Sequence, residues 1–226
     1  MAAVRENLER IYGLMNEAAK KSGRSAKDIT LVAVTKGVNL ERILEAYEAG
    51  IRLFGENRVQ EALVKIPQLT LDAEWHMIGH LQSNKIKDAL SLFTMIESVD
   101  SVRLAQKISG ESMALGKVTP ALLEINISGE AQKYGFGPEE IYSAIEEMVS
   151  MPGIRIEGLM GIAPNNVGDE SKREAFRKLR NIFSVLKGLK KQNVEMKYLS
   201  MGMSDDFKIA VEEGSNRVRL GRALFQ

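Results

Sequence analysis

The sequence predicts a closed (β/α)8 barrel with an extra helix at its N-terminus. Three observations lead there. Short, β-branched apolar runs alternate with amphipathic stretches along all 226 residues, a pattern that implies parallel strands joined by right-handed crossovers. Eight such runs fit a chain of this length when it folds as one barrel. Polar or glycine residues stand at nearly every strand exit, the end at which such barrels keep their site. A doubly wound open sheet is the alternative, but the first strand–helix turn lacks a G-x-G-x-x-G. Gly135-x-Gly137 is misplaced for that role, and there is no P-loop.

A helix over 4–20 comes first, with Leu8, Ile11, Met15 and Ala18 or Ala19 on one stripe. Strands are expected at 31–34, 52–54, 74–78, 94–99, 121–125, 156–160, 197–200 and 217–220. The helices between them have legible ends. Asn39 caps 40–49 and Gly50 stops it. Gly137-Pro138-Glu139-Glu140 puts proline at a first helical position, with acids on the positive pole. Ser204 caps the last long helix, with Asp205 and Asp206 in its first turn and Gly214 at its end. No linker, low-complexity tract or shift in composition divides the chain, so 1–226 reads as a single domain.

Composition narrows the function. Lys plus Arg number 31 against 30 Asp plus Glu, and the charges are interleaved, which gives no bulk attraction to nucleic acid or anionic membrane. Cysteine is absent, so disulfides, thiol nucleophiles and thiolate metal sites are excluded together. His76 and His80 are the only histidines, and the carboxylates form no cluster with metal-ligand spacing. Arg5, Glu6, Glu9 and Arg10 interrupt the N-terminus where a signal peptide needs an apolar core. A soluble, cytoplasmic protein without a metal is expected.

The strand exits carry the chemistry. The first run, Leu31-Val32-Ala33-Val34-Thr35, stops on Lys36. An amine at the mouth of an apolar strand is where desolvation favours the neutral form that attacks carbonyls, the setting of a Schiff-base lysine; a solvated lysine is the alternative. The other exits are Gly55-Glu56-Asn57, Gly79-His80, Asp100, Asn126, Met160-Gly161, Ser200-Met201-Gly202 and Arg219-x-Gly221. Barrels of this type hold phosphate in the loops after strands 7 and 8. There, Ser200 and the backbone at Gly221–Arg222 are favoured over Ser204, whose following acids would repel an anion. A lysine on strand 1, an anion cradle after strands 7 and 8, and Arg219 on strand 8 together suit a cofactor with an aldehyde, a phosphate and a ring nitrogen. Pyridoxal 5'-phosphate has all three.

Several longer stretches carry a resemblance: Ala33-Val34-Thr35-Lys36; Phe54-Gly55-Glu56-Asn57-Arg58-Val59-Gln60-Glu61; and Trp75-His76-x-Ile78-Gly79-His80-Leu81-Gln82-x-Asn84-Lys85. They continue with Gly158-Leu159-Met160, Ser200-Met201-Gly202-Met203-Ser204-x-Asp206 and Arg217-Val218-Arg219-Leu220-Gly221. In these the chain resembles, collinearly from about residue 4 to 225, the pyridoxal phosphate homeostasis proteins. That family is itself similar to the barrel domain of alanine racemases. The resemblance implies the racemase barrel and an internal aldimine of the cofactor on Lys36. It further implies that Arg219 faces the pyridine nitrogen, that Ser200 (with Met201 beside it) and the Gly221–Arg222 backbone hold the phosphate, and that Asn57, His80 and Met160 line the ring or the pocket mouth. It implies a protein of cofactor homeostasis that buffers or delivers pyridoxal phosphate, with apo-enzymes as recipients and little catalysis.

A racemase of amino acids is the alternative, and a barrel enzyme whose Lys36 bonds a phosphosugar is a third reading. Racemases add a β-rich domain that contributes a catalytic tyrosine and the usual dimer interface, whereas this chain ends at Phe225-Gln226, so a monomer is expected. They also carry a tyrosine four residues beyond the lysine, where Leu40 stands here. Lys133-Tyr134-Gly135-Phe136 is expected in a loop above the pocket, as a lid or transfer point, or as a turn with Phe136 packed on the rim.

Overall fold

The computed structural model describes residues 2–130, 132–189 and 191–226. Helix α1 (Ala2–Lys21) precedes β1 (Thr30–Val34), α2 (Leu40–Glu48), β2 (Leu53–Glu56) and α3 (Val59–Lys65). Then come β3 (Glu74–Met77), α4 (Ile86–Leu92), β4 (Met95–Val99), α5 (Val102–Ala114) and β5 (Thr119–Ile125). The chain continues with α6 (Ile141–Met148), β6 (Ile154–Gly161), α7 (Asp169–Lys187) and β7 (Val194–Ser200). It finishes with α8 (Phe207–Glu212), β8 (Arg217–Leu220) and α9 (Arg222–Phe225). The strands form a closed barrel in sequence order. Every neighbouring pair is parallel, and β8 returns to β1 with Thr30 opposite Arg217 and Ala33 opposite Leu220. The expected barrel and its added N-terminal helix are both present.

Period-2 alternation divides the barrel's side chains between two environments. Val218 and Leu220 face outward into the large core between strands and helices, while Arg217 and Arg219 alternate with them and point inward. Met95, Leu122 and Met160 form a separate small cluster inside the barrel. The stripe of α1 behaves as its spacing demands. Leu8, Ile11, Met15, Ala18 and Ala19 are all buried, and α1 packs on α8 and α9. Asn7 Nδ2 donates to Leu224 O at 3.1 Å and to Gln226 O at 3.0 Å, which ties the added helix to the end of the chain.

Two helix starts differ from the sequence reading. Pro138 lies in a turn, with Glu140 N–H bonded to Gly137 O at 3.0 Å, and α6 begins only at Ile141. Glu140 reaches back to Gly137 N–H at 2.8 Å, so the acid secures the turn before the helix rather than the first helical turn. Helix α8 is short and starts at Phe207. Ser204 does not cap it: its Oγ accepts from Ala223 N–H at 3.1 Å, while Asp206 Oδ1 accepts from Met203 N–H at 2.6 Å.

Candidate functional site

A cavity of about 1110 Å³ opens at the C-terminal ends of the strands. Lys36 enters it from the loop after β1, Asn57 from the exit of β2, and Ser204 from the loop after β7. Arg219 forms part of its floor, and Gly221 and Arg222 its wall after β8. Glycine is required beside Asn57: a Cβ on Gly79 would lie 2.4 Å from Asn57 O, so only Gly lets the two strand exits approach this closely. Five cationic side chains line the cavity (Lys36, Arg42, Lys172, Arg219 and Arg222) against the carboxylates of Asp205 and Asp206. Asp205 pairs with Arg222 and Asp206 accepts from the Met203 amide, and the five cations outnumber the two acids, so the cavity favours an anion.

Beneath the floor lies a buried ionic network. Glu97, fully buried on β4, accepts from Ser200 Oγ at 2.7 Å and from Arg217 NH1 at 3.1 Å, and its Oε1 is 2.7 Å from His76 Nδ1. Burial opposes the charge on Glu97. The His76 bond and the charges of Arg217, His76 and Arg219 outweigh it and hold the carboxyl at about 2. His76 is raised above its ordinary value: burial works against its charge, but the bonds to Glu74 and Glu97 prevail. Arg217 also stacks on Tyr198, with its guanidinium carbon 3.7 Å from the ring centroid.

Arg219 is anchored above this layer. Its NH1 donates to Ser200 Oγ at 2.8 Å and its NH2 to Gly161 O at 3.0 Å. A guanidinium has five N–H donors, so this anchoring leaves others for a ligand in the cavity. Burial pulls Arg219 below the ordinary arginine value, and the carboxylates of Glu97, Glu124 and Asp206 counter it. Burial pushes the neighbouring Glu124 up to about 7; the charge of Arg219 opposes the rise and Asp100 adds to it.

The structure therefore brings together Lys36, Asn57, Arg219, Gly221 and Arg222. It places the other sequence-predicted residues elsewhere. Ser200 lies below the cavity, its hydroxyl shared by Glu97 and Arg219. Met160 is fully buried inside the barrel, and Met201 is fully buried in the outer core. His80 sits off to the side: its Nδ1 bonds Asp100 Oδ2 at 2.9 Å, and its ring stacks on Tyr134 with 3.7 Å between centroids. Tyr134 belongs to the loop after β5, which Phe136 pins by exchanging backbone bonds with Glu124 and Asn126. Lys133 of that loop pairs with Glu130 at 2.5 Å.

The alanine racemase N-terminal domain family model matches residues 2–226. The pyridoxal phosphate homeostasis protein of Aquifex aeolicus is 39% identical over 97% of this chain and 96% of its own length. This chain belongs to that family. Its barrel superposes on a crystal structure of an unknown protein from Bifidobacterium adolescentis with a TM-score of 0.94, at 33% identity, covering 99% of this chain and 95% of the other. It also matches the structure of PipY from Synechococcus elongatus with pyridoxal phosphate bound: TM-score 0.85, 32% identity, covering 99% and 100% of the two chains.

Sequence reasoning misses one residue of this cavity and one of the network beneath it. Ser204, set aside as a helix cap, is the serine that lines the cavity. Glu97 falls within the strand expected at 94–99. A lone carboxylate at an inward position of a buried strand requires a cation, and Arg217 and Arg219, spaced two apart on β8, were the available ones.

Proposed function

We propose that this protein binds pyridoxal 5'-phosphate through a reversible covalent bond to Lys36 and serves in homeostasis of that cofactor, buffering and delivering it with little or no catalysis. The observation that carries the reading is one cavity presenting a primary amine, a buried guanidinium and an anion-favouring wall. These donors fit the cofactor's functional groups. Its bound relative in Synechococcus and the name of its Aquifex relative support the same ligand. When bound, the cofactor supplies an aldehyde that condenses with an amine, forming one C=N bond and releasing one water.

The chain's own residues govern binding and restrict the chemistry. Lys36 provides the amine. Ser204 and the backbone at Gly221–Arg222 would hold the phosphate, with Arg222 on the same wall. Arg219 would donate to the ring nitrogen, and a permanently charged donor places no proton there. That weakens electron withdrawal into the ring and disfavours aminotransferase-type chemistry. Two-base racemisation needs a proton acceptor on each face of the substrate carbon. Among the described residues, the lining contains no histidine, tyrosine or glutamate beside Lys36, and both aspartates are engaged.

The protein loaded with the cofactor is expected to reactivate an apo-enzyme that requires it and to leave L-alanine and L-serine unracemised. Racemisation at enzyme-like rates would overturn the carrier reading. Apo-enzymes as recipients, a monomer and a cytoplasmic setting complete the proposal. It is in keeping with a cysteine-free sequence of near-zero net charge, and no described helix is long and apolar enough to cross a membrane.

A further inference from the structure

Lys36 sits on a turn that is held from both sides by one cluster of charged groups outside the cavity. Val38 N–H donates to Thr35 O at 2.9 Å, and Gly37, at φ 68°, takes the left-handed third position of that turn. Lys65, the last residue of α3, donates from Nζ to Thr35 O at 2.7 Å, to Glu56 Oε1 at 3.0 Å and to Glu61 Oε1 at 2.5 Å. The same Glu61 oxygen accepts from Gly37 N–H at 2.8 Å. The Thr35 hydroxyl donates to Glu56 Oε1 at 2.6 Å. The carbonyl before Lys36 and the amide after it are thus fastened to a single ion-pair cluster.

A turn of this kind needs only its own hydrogen bond. The cluster adds a fully buried carboxylate, Glu56, whose Oε2 has no hydrogen-bond partner, and a lysine whose side chain is only 12% exposed. Taking such charges out of water is costly, and a buried ion pair gains little stability by itself over an apolar alternative. The cost is intelligible where one side chain must be held to a fraction of an ångström.

We propose that Glu61, Lys65 and Glu56 are positioning residues that fix the Thr35–Val38 turn and so aim the Lys36 amine at a carbonyl in the cavity. The proposal rests on Lys36 being the covalent anchor. The amine's reach depends on the backbone, so freeing either flank spreads it over orientations in which it cannot close the bond. Contacts to the rest of the ligand, from Arg219 and the wall after β8, do not pass through this cluster.

The test compares two probes, pyridoxal 5'-phosphate and pyridoxine 5'-phosphate; the second has an alcohol where the first has an aldehyde and cannot bond Lys36. In Glu61→Ala and, separately, Lys65→Met, affinity for the aldehyde is expected to fall about tenfold and borohydride fixation to slow in parallel. Affinity for the alcohol should stay at the wild-type value. Glu61→Gln, which keeps an acceptor for Gly37 N–H, should recover most of the aldehyde affinity. Equal losses for both probes would make the cluster merely structural and overturn the proposal, as would unchanged aldehyde affinity in Glu61→Ala. Wild type that binds the aldehyde no more tightly than the alcohol would overturn the anchor itself, and the clamp with it.

Discussion

Glu97→Ala is expected to lower the unfolding free energy by about 3–5 kcal/mol, because it strands buried cations rather than removing one bond. Arg217, Ser200 and His76 all converge on this carboxylate, and Arg219 reaches it through Ser200. A urea-unfolding midpoint unchanged from wild type would contradict the network. The pH dependence has a definite sign. The folded-state value of about 2 lies below the ordinary 4.5, so Glu97 contributes its stability above about pH 4.5 and loses it as pH falls towards 2. Glu97→Gln should flatten that acid limb.

Glu124 produces the opposite limb. Burial raises it from 4.5 to about 7, so the folded protein holds its proton more tightly than the unfolded chain does. Its contribution is full below about pH 4.5 and is lost as pH rises through about 7. A rise of that size corresponds to about 3 kcal/mol. His76, also raised, pushes in the same direction, so the informative quantity is the difference between wild type and Glu124→Gln. Wild type should lose stability relative to Glu124→Gln between about pH 5 and pH 8 by roughly that amount. Parallel profiles for the two proteins would show that Glu124 does not titrate in this range.

The barrel is legible in the sequence because parallel strands covered by helices read as nearly continuous apolar runs. The run ending at Leu220 gives β8 its observed bounds. Strand β7 reads too short: it begins at Val194, but exposed Glu195 and Lys197 interrupt its apolar pattern. Lys36 is legible for a local reason, a basic side chain directly after an apolar strand. Ser200 and Ser204 are harder to tell apart. Their roles depend on where β7 stops: Ser200 is its last residue, turned into the barrel, and only the loop beyond reaches the cavity. The repulsion expected from Asp205 and Asp206 is relieved by Arg222 and by the Met203 amide, partners that become neighbours only on folding. The Lys65 clamp is likewise hidden, since it joins residues 35, 37, 56, 61 and 65 across two strand exits.

The proposed covalent binding, the buffering and the clamp all rest on Lys36 as the anchor. Wild type and Lys36→Ala would each be incubated with pyridoxal 5'-phosphate and desalted, their visible spectra recorded, and the proteins then reduced with borohydride and mapped by peptide. A retained visible band is expected in wild type, fixed by reduction onto Lys36, and no such band in Lys36→Ala. Absence of the band from both proteins, or a reduced adduct on another lysine such as Lys65 or Lys133, would contradict a covalent anchor at Lys36.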